Sequence, residues 1–133
     1  MNIKGLIRRV GHRGAFLLFL ALLDFLYGYS LFTTSKRTVD LTLPWTAWGF
    51  IWTAVGVVLL IGAFAIRDRV HFAVAATLKA AWAGMFVKLW LIYHVPHAWV
   101  NVVVWVAFSA VVVTVSTWPE VRRHKNRDTE RQE

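Results

Sequence analysis

Apolar residues run almost unbroken through four stretches of this chain, 14–32, 45–66, 70–93 and 98–118. A bilayer core of about 30 Å is crossed by about 20 residues of helix, so each stretch predicts a transmembrane helix. The third carries Lys79 and Lys88, yet it stays rich in Ala, Phe, Val and Trp and contains no proline. The connections are a polar loop over 35–44, a tight turn at Arg67-Asp68-Arg69, and a short turn over 93–97 broken at Pro96. Asp24 interrupts the first stretch and no small-x-small site follows it, so that stretch predicts a retained helix rather than a cleaved signal.

The pattern changes at both ends. Ile3, Leu6, Ile7 and Val10 recur at helical spacing, with Lys4, Arg8 and Arg9 off that stripe. This predicts a short interfacial helix; the plainer alternative is a solvated basic flank. Residues 120–133 are polar with no apolar stripe and predict a disordered, basic C-terminal tail. The expected fold is therefore an all-α membrane protein of one domain, 1–119, with four transmembrane helices arranged as two hairpins, followed by the tail 120–133.

Composition supports the membrane reading. Of 133 residues, 58% are hydrophobic and 17% charged, against about 45–50% and about 25% in soluble domains. The formal net charge of +8 would suggest nucleic acid in a soluble protein. Here the cations sit almost wholly outside the apolar runs, so anionic lipid headgroups are the expected counter-charge and nucleic acid is not an expected partner. Cysteine is absent, which removes disulfides, thiolate metal sites and cysteine nucleophiles.

Charge placement also predicts orientation. With both ends on one side, that side holds Lys4, Arg8, Arg9, Arg13, Arg67, Arg69, Arg122, Arg123, Lys125, Arg127 and Arg131, whereas the other holds only Lys36 and Arg37. The excess of lysine and arginine marks the cytoplasmic face, so both termini are expected there. Trp45, Trp48, Trp99 and Trp118 lie near span ends, where the indole favours the headgroup layer; Trp52, Trp82, Trp90 and Trp105 lie deeper.

Three ionisable residues fall inside the spans: Asp24, Lys79 and Lys88. Each such charge at a helix centre costs about 2.5–3.5 kcal/mol on insertion scales. Spans one and three run in the same direction; Asp24 is the eleventh residue of its span and Lys79 the tenth of its own. At about 1.5 Å per residue the two lie at matching depth, which predicts a buried ion pair between those spans. Lys88 stands nine residues from Lys79, on the opposite side of the helix, near enough to the outer end to snorkel. Tyr27, one turn beyond Asp24, is placed to donate a hydrogen bond to the carboxylate. Ala76, Ala80 and Gly84 form a ridge of small residues that admits close approach of another helix. Two roles stay open for the charged pair: a carrier or polar switch built on Asp24, or a device that fixes which helices meet.

His94 and His97 flank Pro96 at the outer surface, while His12, His71 and His124 lie on the other side. A metal centre needs three or four converging ligands, and the outer pair has no carboxylate nearby in sequence. No Ser-His-Asp set, phosphate loop or carboxylate pair occurs, so neither enzyme activity nor a cofactor is expected. Pro44 with Trp48 and Pro96 with Trp99 precede the even-numbered spans, a faint parallel repeat.

The run Leu23-Asp24-Phe25-Leu26-Tyr27-Gly28-Tyr29-Ser30, the Pro44-Trp45 start of span two, Arg67-Asp68-Arg69, Lys79-Ala80-Ala81-Trp82 and Trp118-Pro119-Glu120 resemble small four-span membrane proteins of actinobacterial phages, over most of the chain. Some of those are called holins. The resemblance implies a bacterial inner membrane and a holin-like protein that oligomerises there. Two other classes are open: an accessory or exclusion protein that binds another membrane component, and a small ion-coupled transporter using Asp24.

Overall fold

The computed structural model describes residues 3–33 and 43–119, with the backbone alone for residues 5–9. Among these residues every regular element is an α-helix: α1 Ile3–Thr33, α2 Trp45–Gly62, α3 Arg69–Leu91 and α4 Ala98–Thr117. All four are long and apolar enough to cross a membrane, α1 doing so from Val10 to Thr33. The chain is a small multi-pass membrane protein. Most of the predicted loop over 35–44 and the predicted tail over 120–133 lie outside the described residues.

The basic N-terminal stretch and the first span are one element with a break. At Gly11 the backbone takes φ 61° and ψ −177°, in the left-handed φ range open to glycine because it has no Cβ. Ile3 at the start of the predicted stripe is exposed and Val10 at its end is buried; the side chains of Leu6 and Ile7 lie outside the description.

Local chemistry sets the other boundaries. Pro44 takes an extended conformation immediately before α2, and its carbonyl accepts from Trp48 N–H. That helix ends at Gly62, four residues short of the predicted 66. A Cβ on Gly62 would stand 2.4 Å from the His71 ring carbon Cγ, so α3 presses on the last turn of α2 and the chain peels away over 63–68. α3 ends at Leu91, and its turn uses His94 and His97 at positive φ (51° and 61°). Histidine is among the residues enriched in that conformation, which gives the two imidazoles a backbone role beside Pro96. Trp118, preceding Pro119, is extended and closes α4.

α1 packs along α2 and α3 along α4, both antiparallel, while α2 and α3 touch less. The α1–α2 contact is a backbone approach made possible by glycine. A Cβ on Gly14 would lie 2.7 Å from the Ala63 carbonyl oxygen, and one on Gly28 would lie 2.8 Å from Thr53 Oγ1 and 3.1 Å from the Gly49 carbonyl. One on Gly56 would meet Phe25 at 2.9 Å. Such close approach is how helices gain packing where lipid removes the hydrophobic drive between them.

Two apolar clusters result. One, at the end where α1 enters the bundle, gathers Leu17, Leu20, Ala21, Leu59, Phe72 and Val112. The other, toward the α3–α4 turn, gathers Leu31, Trp52, Leu78, Trp82, Met85 and Leu89. Trp45 and Trp48 face this second cluster: their rings lie 6.4 and 4.9 Å from that of Trp82. They therefore lean into the bundle although their sequence positions suggested the headgroup layer, whereas Trp90, Trp99 and Trp118 are exposed.

Candidate functional site

The fully buried charged side chains among the described residues are Asp24 of α1 and Lys79 of α3, each with 0% exposure. They lie between the two apolar clusters, with Lys79 Nζ donating to Asp24 Oδ1 in an ion pair. The ammonium also stands 4.7 Å from the Trp52 ring centre and 5.8 Å from that of Phe108. A desolvated cation over an aromatic face gains up to about 2 kcal/mol, so α2 and α4 help stabilise a charge contributed by α3. The second carboxylate oxygen, Asp24 Oδ2, accepts no hydrogen bond from the described residues.

Tyr27 belongs to the surround of this pair. Its ring lies 4.5 Å from Trp52, 5.7 Å from Trp82 and 5.3 Å from Trp105, and its hydroxyl accepts from Trp82 Nε1 at 3.0 Å. Each of the four helices contributes to this aromatic group, which fills the interior on one side of the ion pair. Rings of this kind combine large buried area with edge-to-face attraction.

A second polar contact, not anticipated from sequence, closes the opposite end. Arg13 Nη2 pairs with Asp68 Oδ1 at 2.7 Å, both side chains being 14% exposed. The same guanidinium lies 5.2 Å from the Phe72 ring centre and donates to the Trp118 carbonyl at 3.4 Å. It thereby ties the start of the α1 span to the first residues of α3 and the end of α4. Asp68 precedes α3 without capping it, since its carboxylate is turned toward Arg13.

These contacts share one register. Arg13–Asp68, Asp24–Lys79 and Tyr27–Trp82 each join residues 55 apart, so α1 and α3 lie parallel and in step. Arg13 and Asp24 are eleven residues apart, as are Asp68 and Lys79. Eleven residues make three helical turns, which returns a side chain to nearly the same face. That repeated spacing with inverted sign was the signal available in the sequence for the Arg13–Asp68 pair.

The small-residue ridge divides. Ala76 meets α4, its carbonyl accepting from Ser109 Oγ at 3.1 Å. Ala80 and Gly84 are exposed, and they line an open apolar groove with Val106, Ser109, Ala110 and Val113. A Cβ on Gly84 would meet nothing within 4 Å. Within one copy Ala76 takes part in the α3–α4 contact, while Ala80 and Gly84 face the open groove. Among the described residues no three His, Asp or Glu side chains gather as a metal site.

No protein-family model, no curated protein and no solved structure matches the chain. The chemistry of the site is carried by its own residues. An ammonium held by a carboxylate and flanked by aromatic rings joins α1 to α3, with α2 and α4 contributing the rings.

Proposed function

We propose that this protein is holin-like: it assembles with copies of itself in a bacterial inner membrane and acts there by forming lesions. The observation that carries the reading is the position of the buried Asp24–Lys79 pair. It lies between two helix pairs, each closely packed within itself, under an aromatic group that fills the interior. Among the described residues the fully buried charges are satisfied by each other, and on this reading the activity at the membrane comes from assembly. Separating the helix pairs would turn the buried charges into the polar lining that a lesion requires. A carrier using Asp24 fits less well, since a matched pair sealed by rings gives an ion no route in or out. The resemblance to small phage membrane proteins points the same way. In this reading both ends face the cytoplasm, and the basic flanks rest on anionic headgroups.

The exposed groove beside Ala80 and Gly84 favours a second reading, an accessory protein that binds another membrane component. Induced expression in a bacterium separates the two. A holin-like protein stops growth abruptly and depolarises the inner membrane. Continued growth with full membrane potential, at verified accumulation of the protein in that membrane, removes the lesion-forming reading and leaves the accessory one.

A further inference from the structure

We infer that the α1–α3 seam also forms between copies, with the α1–α2 pair of one chain docking on the α3–α4 pair of a second. This rests on the self-assembly proposed above and names the surface that performs it. The seam is the separable joint of the molecule. Inside the α1–α2 pair, backbones touch at glycines along the length of the helices; between the pairs, α1 and α3 meet through side chains in three polar contacts, and α2 meets α3 less extensively, with Gly62 tight against His71.

Charge complementarity identifies the occupant. Along the seam α1 presents Arg13 and then Asp24, and α3 presents Asp68 and then Lys79. In parallel register an α1 face set against another α1 opposes like charges, and so does α3 against α3. Only α1 against α3 matches at both levels, so the complement of an opened copy is the other half of a second copy. An opened seam also cannot stay empty, because a lone charge at that depth is strongly unfavourable. Exchange restores every contact that opening breaks, which is why swapped elements are a low-cost route to assembly.

The connection permits it. Residues 63–68 separate Gly62 from Arg69. With Ala63 packed against Gly14 and Asp68 kept for the seam, the four residues between them reach about 13 Å when extended, against about 8–10 Å between the axes of packed helices. In that segment Phe64 and Ile66 are already 49% and 81% exposed, so extending them uncovers little further apolar surface, while Ala63 stays buried with the end of α2. If the exchange is not reciprocal, each copy leaves one half free for the next, and the array grows head to tail.

Intermolecular complementation tests this. Asp24→Lys gives a chain with lysine on both sides of the seam, and Lys79→Asp gives one with aspartate on both. Each full-length variant alone carries like charges face to face, whether the seam closes within or between copies. Co-expressed with different tags, they match only across copies. Exchange predicts that the mixed pair accumulates about tenfold or more above either variant alone, and that the two tags copurify. The same experiment with Arg13→Asp and Asp68→Arg uses a pair that is partly exposed, so that a mismatched chain can still fold; its readout is copurification of mixed over like pairs. No gain for either mixed pair over its like pairs overturns the inference. Depolarisation is scored separately with the unaltered chain: lesions without complementation would sink the exchange alone, and complementation without lesions would sink the holin-like reading alone.

Discussion

Lys79 holds its charge at bilayer depth through three neighbours of different kinds: the Asp24 carboxylate, the Trp52 face and the Phe108 face. Each is contributed by a different helix, so a change at one residue is felt across the bundle. Removing one member of a buried pair leaves an uncompensated charge, at a cost of about 3–5 kcal/mol in soluble proteins. Asp24→Asn and Lys79→Gln are each expected to destabilise by that order, and the two together by less than either alone. Reversible unfolding in mixed micelles measures this as a double-mutant cycle. Additive losses would mean that the two side chains do not act as a pair.

Two glycines of α1 and α3 separate packed from unpacked helix faces. At Gly14 an added methyl would lie 2.7 Å from the Ala63 carbonyl, an oxygen of the backbone that can yield only if α1 and α2 move apart. Gly14→Ala is expected to cost about 1–3 kcal/mol, as overpacking does in well-filled cores. At Gly84 the same methyl enters open space. Gly84→Ala there removes the backbone entropy of glycine and is expected to stabilise by about 0.5–1 kcal/mol. The unfolding assay decides both signs, and a destabilising Gly84→Ala would show that the α3–α4 groove is filled by something the methyl displaces.

For the molecule as a whole, orientation follows from cations that the helices leave outside the membrane. Eleven lysines and arginines on one side against two on the other predict a cytoplasmic N-terminus and C-terminus. Alkaline phosphatase fused after Glu133 is expected to be inactive, and phosphatase inserted near Thr38 active. Activity only in the first fusion would invert the molecule in the membrane. Such an inversion would leave the bundle unchanged, because the polar contacts that position the helix pairs, from Arg13–Asp68 to Tyr27–Trp82, lie inside it.

Four spans, their approximate limits and the matched depth of Asp24 with Lys79 were determined by the sequence itself. The physical reason is that lipid enforces a simple rule: helices must be about 20 apolar residues long, and a fixed rise of about 1.5 Å per residue turns position into depth. Rotation about each helix axis obeys no such rule. Whether Trp48 faced headgroups or Trp82, whether Gly84 touched a helix or none, and where α2 stopped against His71 depended on which helices became neighbours and how they crossed. Arg13 and Asp68 resemble ordinary flanking charges in the sequence, and only the parallel packing of α1 against α3 made them a pair. The Asp24–Lys79 contact stood out early because its members had no solvent to escape to; Arg13 and Asp68, at the span ends, had, and the packing of α1 against α3 decided their pairing.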